Sequence, residues 1–289
     1  MRKCRVVRHT CFWEFERKMS NSYSSLCDDF YLDMYINTKL DLPMQRDTVL
    51  AFFERIQKQF PSMGCFHRRG NNQYCLEEDR SGDGLSSCDL PQNGFCSQYR
   101  WVTLEIDRIS SGVANPVSFE DAYHQDKLVL ELVPYMLGVN HLDIDSLDVT
   151  FGMDFEYAGS HDEVISEALF NSTAFNCLLD LPQARPIGFS PAVLVALSDD
   201  CRTQARISVE SKTIPDSMGS YEPGKQRESS DEPISLSFTV RQYPQTADRF
   251  DSIKSFEKQC QLAEELMAEK IVPNFVWPLT NVIAQKRLT

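Results

Sequence analysis

SLDVTFGMDFEYA, residues 146–158, alternates apolar and polar side chains along its whole length. Successive side chains of a β-strand point to opposite faces, so this pattern predicts a long strand with one apolar face and one polar face. Such strands are typical of antiparallel sheets that bury only one face. The apolar face would carry Leu147, Val149, Phe151, Met153, Phe155 and Tyr157, and the polar face Asp148, Thr150, Gly152, Asp154 and Glu156.

The overall composition restricts the function classes that fit this chain of 289 residues. Its 29 basic and 42 acidic residues give a net charge of -13, which repels phosphate backbones and argues against binding of duplex nucleic acid. No apolar run reaches the ~20 residues needed to cross a bilayer, and no apolar segment follows the basic N-terminus as it would in a signal peptide. We therefore expect a soluble, acidic, cytoplasmic protein that does not contact membranes.

The first half of the chain shows four strand patterns and two helix patterns. Strand alternation occurs in FYLDMYINTKL (residues 30–40), in RWVTLEIDRI (residues 100–109) and, more weakly, around residues 65–77. Helical spacing follows Pro43 as far as QFP, and a second helix is predicted from a cap at Ser118 to about Pro134. With residues 146–158 the order is strand, helix, strand, strand, helix, strand, which is the split β-α-β arrangement of a ferredoxin-like sandwich.

The second half repeats this style without repeating the sequence. PAVLVAL (residues 191–197) is an apolar run suited to a central strand, TQARISVES (residues 203–211) forms a hairpin with it, and ISLSFTV (residues 234–240) is another strand. A helical region then closes the chain, with a break at Pro273.

The predicted fold class is α+β, with two ferredoxin-like (split β-α-β type) halves and mostly antiparallel sheets. The predicted divisions are an arm over residues 1–27, a ferredoxin-like half over 28–160, and a second α+β half over 161–289 that contains a mobile loop at 214–233. The arm is expected to be disordered or to precede the true translation start, for which Met19 is a candidate.

Five segments carry a family resemblance. YLDMYINTKL, KQFP, SFEDAY, SLDVTFGMDFEYAGSHDEV and ISLSFTVRQYP occur in this order between about residues 28 and 279. They resemble a sporadically distributed family of uncharacterised bacterial proteins with an early strand, a helix ending in an aromatic-proline step, a long strand, and a closing strand and helix. The resemblance implies a bacterial protein with an α+β, ferredoxin-like layout, and no activity or site residue.

A ligand-binding cleft between the halves is one functional hypothesis. The polar faces of the predicted strands place acidic and aromatic residues on one half and arginines on the other, and guanidinium groups engage phosphate or carboxylate groups well. The most favoured function is accordingly non-enzymatic binding of an unknown protein or a small anionic ligand, on a sheet face or in the cleft between halves. The candidate residues are Arg202, Arg206, Arg241, Trp101, Glu105, Asp107, Asp154 and Glu156, with Tyr31 and Tyr35 on the same predicted face.

The alternative is a divalent-metal-dependent or phosphate-handling enzyme that uses carboxylates on the sheet face. Glu105 with Asp107, and Asp154 with Glu156, are spaced to share a strand face, and Asp33 and Asp148 could join them to hold Mg²⁺. Conventional nucleophile and nucleotide-binding motifs are absent, so no catalytic residue is assigned. We expect no cofactor and no bound metal.

The cysteines leave one further question open. Cys65, Cys75, Cys88 and Cys96, with His67, surround one polar loop, where they could bind zinc or form disulfides. None of the spacings matches the C-x₂₋₄-C pattern that positions two thiolates for a metal. Buried, inert thiols are therefore the default expectation.

Overall fold

The centre of the fold is an antiparallel pair of strands, β1 (Asp29–Thr38) and β6 (Ile144–Phe155). The computed structural model describes residues 23–69, 73–79, 98–179, 181–184, 186, 188–211, 233–245 and 249–288. Within these residues nine strands form one sheet in the order β2-β3-β4-β5-β1-β6-β9-β8-β7, and each neighbouring pair is antiparallel. The other strands are β2 (Cys65–Arg69), β3 (Gln73–Glu77), β4 (Tyr99–Leu104), β5 (Arg108–Ala114), β7 (Ala192–Ala196), β8 (Thr203–Ser211) and β9 (Ile234–Gln242).

Helices pack on the apolar face of this sheet. Phe151 of β6 has no exposed surface, and its ring lies 6.0 Å from that of Phe30 in β1 and 5.7 Å from that of Phe119 in the second helix. The predicted alternation of residues 146–158 is thereby confirmed as far as Phe155, with its apolar side chains in the core. The helices are α1 (Arg46–Gln59), α2 (Phe119–Met136), α3 (His161–Ile165), α4 (Ser252–Leu266) and α5 (Trp277–Arg287).

Local sequence signals explain where α2 begins and ends. The Ser118 hydroxyl accepts a hydrogen bond from the backbone N–H of Asp121 at 3.2 Å, which confirms the predicted N-terminal cap. The helix continues past Pro134 to Met136, two residues further than predicted. Pro273 likewise lies within a wide, π-helical segment over residues 267–276, which links α4 to α5 without the predicted break.

A buried glutamine fixes α4 to the sheet. Nε2 of Gln259 donates hydrogen bonds to the backbone carbonyls of Leu147 (2.7 Å) in β6 and Val240 (2.9 Å) in β9. Both neighbouring strands are thus held by one side chain that is itself buried. Because buried polar groups are costly without partners, this arrangement specifies the position of the helix.

Two predicted strands are hairpins instead. RWVTLEIDRI divides into β4 and β5, with a turn at residues 105–107, so the prediction of one continuous strand is wrong there. The segment at residues 65–77, in which the turn-forming sequence GNN (residues 70–72) interrupts the predicted strand, forms two paired strands, β2 and β3. The first part of the sheet therefore contains more strands than the predicted order of strand, helix, strand, strand, helix and strand.

The apolar run PAVLVAL is an edge strand, and the prediction of a central strand is wrong. It forms β7, which pairs only with β8 among the described strands, as the predicted hairpin. Val193 is 53 % exposed and Leu194 62 % exposed, so both sides of β7 contact solvent in the described structure. A short apolar run does not distinguish a doubly buried strand from an exposed edge.

The position of β7 predicts a difference between two valines. Val193→Thr should change the free energy of unfolding by less than about 0.5 kcal/mol, because the side chain is exposed. Val209→Thr in β8, where the side chain is 1 % exposed, should cost about 1–3 kcal/mol because it buries a hydroxyl group. Urea unfolding of the two variants measures both values. Equal losses would contradict the edge position of β7.

The sheet continues across the boundary predicted at residues 160 and 161. Strand β6 of the first segment pairs directly with β9 of the second. The mixed α+β class with an antiparallel sheet is established, whereas the division into two ferredoxin-like halves stays a prediction. Most of the arm (residues 1–22) and of the loop (residues 212–232) lies outside the described residues, but Tyr23 is buried against Phe30. In the described part of the chain, no helix is long and apolar enough to cross a membrane.

Candidate functional site

The face of the sheet opposite the helices is polar, and we call it the polar face. Tyr31, Asp33, Tyr35 and Asn37 of β1 project onto it, alternating with the core residues of the same strand. All four are partly exposed. Each is neighboured in register by residues of β5 and β6, so the centre of the polar face is built from three adjacent strands.

Aromatic rings lie across glycines in the middle of this face. A Cβ atom on Gly112 of β5 would lie 2.3 Å from the Trp101 ring and 2.3 Å from Oδ1 of Asp33, so only glycine fits there. A Cβ atom on Gly152 of β6 would lie 3.3 Å from the Tyr31 side chain. The Tyr31 and Trp101 rings meet edge to face at 6.4 Å. We name Tyr31, Asp33, Tyr35 and Trp101 the aromatic platform.

Asp33 is the charged group of the aromatic platform. Burial raises its pKa to about 7, and a hydrogen bond with the Tyr35 side chain opposes this rise. Asp33 as a residue keeps intermediate exposure, whereas its Oδ1 atom is buried and has no hydrogen-bond partner among the described residues. A carboxylate oxygen in this position is costly, because it has lost water without gaining a donor.

A positively charged group borders the platform at the Tyr35 end. The Arg108 guanidinium lies 5.8 Å from the centre of the Tyr35 ring and donates from Nε to Oδ1 of Asn37 at 2.9 Å. The neighbouring charge of Asp33 raises the pKa of Tyr35 well above its usual range, and burial adds to this rise. Tyr35 therefore stays a neutral hydrogen-bond donor at physiological pH.

Another carboxylate with a raised pKa, Asp126 of α2, lies on the helical side of the sheet. Its side chain is buried beneath the helix, its Oδ1 has no partner among the described residues, and burial raises its pKa well above the usual range. A hydrogen bond with Ser111 opposes that shift. Because α2 closes this side of the sheet, Asp126 is less suited than Asp33 to contact a ligand.

The three candidate arginines have different environments. Arg241 of β9 forms a two-pronged ion pair with Asp148, with Nε–Oδ1 at 2.7 Å and Nη2–Oδ2 at 2.6 Å. Arg202 donates to the carbonyl of Pro244, and its Nε lies 3.8 Å from Oδ2 of Asp200. Arg206 is exposed on the polar face. Two of the three guanidinium groups are thus already engaged within the protein.

The candidate carboxylates lie in two pairs at opposite ends of the central strands. Glu105 and Asp107 belong to the turn between β4 and β5, so the prediction that they share a strand face is wrong. Asp154 is opposite Asp29 at the start of β1 and accepts a hydrogen bond from Ser235 at 2.6 Å, and Glu156 follows the end of β6. Since β1 spans roughly 30 Å between these ends at about 3.4 Å per residue, the two pairs cannot share one ion.

Part of the aromatic platform is predictable from the sequence. Tyr31, Tyr35 and Trp101 were expected on one face, and the structure places them together with Asp33 on the polar face. Gly112 does not follow from the sequence in the same way, because the pattern predicts no strand over RISSGVA. The sequence signal that indicates this strand is the pair of apolar residues Ile109 and Val113, which share one face and are both buried.

Comparisons with known proteins do not assign the site. The chain matches no protein-family model and no curated protein.

Proposed function

We propose that this chain is a non-enzymatic binding protein whose aromatic platform recognises a positively charged group. That group is an ammonium or guanidinium group, presented by a partner protein or by a small ligand. The observation that carries the proposal is the buried Oδ1 atom of Asp33, which lacks a partner among the described residues. A donor from a bound cation would supply the missing hydrogen bond.

The chemistry around Asp33 supports this choice. The electron-rich faces of Trp and Tyr attract cations within about 6 Å, and a carboxylate beside them adds a charge-assisted hydrogen bond. Tyr31 and Trp101 supply the rings, and their partial exposure leaves surface for contact. The net charge of -13 favours the approach of positively charged partners over long range.

The anionic-ligand alternative has less support from the positions of the arginines. Asp148 already neutralises Arg241, and the Pro244 carbonyl holds Arg202, so an anion would depend mainly on exposed Arg206. The enzymatic alternative has less support because its carboxylate pairs lie at opposite ends of β1.

The proposal also covers the fold type, the source and the cellular location of the protein. β1 is followed by α1, the hairpins β2–β3 and β4–β5, and α2, whereas β6 is followed by α3, the β7–β8 hairpin, β9 and α4. A helix, antiparallel strands and a second helix thus follow the central strand in each part, which supports two ferredoxin-like halves joined through β1 and β6. A bacterial, cytoplasmic protein is proposed on the family resemblance.

The test uses a matched pair of probes and isothermal titration calorimetry. Nα-acetyl-arginine amide carries a guanidinium group, and Nα-acetyl-citrulline amide has nearly the same shape without the charge. We expect the full chain to bind the arginine probe and to bind the citrulline probe at least about tenfold more weakly, because a charge-assisted hydrogen bond contributes about 1.5–3 kcal/mol. Equal binding of both probes would rule out recognition of a cation.

Two variants locate the effect. Asp33→Asn should abolish the preference for the arginine probe, whereas Asp145→Asn removes the same charge from an exposed position and should preserve it. The anionic alternative is tested by adding phosphate to the wild-type chain and to Arg206→Ala. A rise in melting temperature that depends on Arg206, without binding of the arginine probe, would favour an anionic ligand.

A further inference from the structure

Three potential metal ligands meet at the β2–β3 hairpin, on the polar face of the sheet. His67 of β2 lies directly opposite Cys75 of β3, and Glu77 follows Cys75 by two residues. Paired residues on one face of an antiparallel hairpin have Cβ atoms about 4.5–5.5 Å apart, and side chains two residues apart on a strand share a face. The strand pairing therefore gathers one nitrogen, one sulfur and one carboxylate group.

The distances between these groups suit a small tetrahedral ion. Nε2 of His67 lies 3.5 Å from Oε1 of Glu77, and Sγ of Cys75 lies 3.5 Å from Oε2 of Glu77. One potential ligand atom from each residue falls within 4.8 Å of the others. Zinc binds nitrogen and oxygen at about 2.0–2.2 Å and sulfur at about 2.3 Å, so its tetrahedral ligands lie roughly 3.3–3.7 Å apart. Small side-chain movements would therefore bring the three ligand atoms into the geometry of a tetrahedral zinc site.

We propose that His67, Cys75 and Glu77 form a binding site for a borderline-soft transition metal of the zinc class. This differs from the expectation, drawn from the sequence, that no metal is bound. Cysteine and histidine ligands favour zinc over Mg²⁺ or Ca²⁺, which prefer oxygen ligands alone. Cys75 is buried, which holds its thiol in place, while the side chains of His67 and Glu77 are 34 % and 15 % exposed. An ion can therefore enter from the side of the histidine.

Metal binding at this site releases a proton. The Cys75 thiol transfers its proton to water as the sulfur–metal bond forms, and His67 binds through neutral Nε2. Without metal, Nε2 of His67 lies within ion-pairing distance of Glu77, and the Cys75 thiol donates a hydrogen bond to the same carboxylate group. Metal binding therefore replaces the hydrogen bond from the thiol to Glu77 with a bond from the sulfur to the ion.

The site adjoins the aromatic platform. Glu77 is opposite Trp101 in the ladder between β3 and β4, and Cys75 is opposite Thr103. β2 forms the end of the described sheet. A metal that links β2 to β3 would therefore fix the edge hairpin beside Trp101.

Cobalt titration of the full chain tests the site, after reduction and removal of metals with a chelator. Tetrahedral Co²⁺ bound to a thiolate gives visible absorption bands and a sulfur-to-metal charge-transfer band. We expect these bands in the wild-type chain, and their loss on addition of Zn²⁺. Cys75→Ser and His67→Gln should weaken Co²⁺ binding at least tenfold, since loss of even an outer-shell partner costs about 10–100-fold.

Exposed cysteines provide the matched control. Cys177→Ser and Cys201→Ser remove thiols outside the hairpin and should leave the spectrum unchanged. Circular dichroism of each variant checks folding, and partly exposed His67 allows a test that leaves the core intact. Absence of the bands in the wild-type chain, or their retention in both Cys75→Ser and His67→Gln, would overturn the proposal.

Discussion

Phe151→Ala is expected to lower the free energy of unfolding by about 3–5 kcal/mol. The side chain has no exposed surface and lies between Phe30 of β1 and Phe119 of α2. Removing the ring costs its hydrophobic transfer free energy. It also leaves a cavity between the sheet and α2, because the surrounding structure relaxes only partly to fill the space. Equilibrium urea unfolding measures the loss. The dependence of the unfolding free energy on urea concentration should be the same in both proteins, which checks that only stability has changed.

The control for this prediction lies on the other face of the same strand. Asp154 is partly exposed and accepts a hydrogen bond from Ser235 at 2.6 Å. Asp154→Ala should therefore cost about 1 kcal/mol, the net value of one typical hydrogen bond. If both variants were equally destabilised, the assignment of the two faces of β6 would be contradicted.

The alternation of apolar and polar residues was sufficient to predict the central strands. Residues of β1, β6, β8 and β9 change face at every step, and a one-residue error would have exposed each apolar side chain. The cap at Ser118 predicted the start of α2 for a local reason, because its hydroxyl bonds within the same turn. Signals of this kind depend on neighbours in sequence and need no knowledge of the tertiary structure.

The errors concern properties that depend on distant residues. β7 contains five small or apolar residues, and nothing within those residues tells whether other strands flank it. The turn at residues 105–107 interrupts a pattern that continues to alternate, so RWVTLEIDRI predicts one strand where the chain reverses. How these strands are ordered in the sheet is decided by packing against the helices, which a local pattern does not contain.

The candidate site was only partly accessible from the sequence. The shared face of Tyr31, Tyr35 and Trp101 followed from alternation, but the position of Asp33 beside Trp101 depends on the pairing of Gly112 with both β1 and β4. Similarly, Arg241 matched the expected phase, yet the partner that engages it, Asp148, is in a strand far away in sequence. Pairing across strands determines which charges remain available for a ligand.

Asp33→Asn is expected to stabilise the protein at pH 8 by about 1–3 kcal/mol and to have little effect near pH 4. The pKa of Asp33 is raised from 3.8 to about 7, so between these values the folded chain keeps a proton that the unfolded chain releases. Stability therefore falls as the pH rises from about 4 to 7, by at most about 1.4 kcal/mol per pH unit. Because Asp33 is partly exposed to solvent, the total loss of stability is expected to be smaller than about 1.4 kcal/mol for every pH unit between the two pKa values. Asparagine has no charge to desolvate.

Urea unfolding of the wild-type chain, Asp33→Asn and Asp145→Asn at pH 4, 6 and 8 tests this expectation. The difference between wild type and Asp33→Asn should grow with pH, whereas exposed Asp145→Asn should stay within about 0.5 kcal/mol of wild type throughout. A gain in stability that coincides with loss of the arginine-probe preference would indicate that the chain maintains a destabilising carboxylate for binding. A pH-independent effect of Asp33→Asn would contradict the raised pKa, and destabilisation at pH 8 would mean that the charged form of Asp33 is already satisfied within the fold.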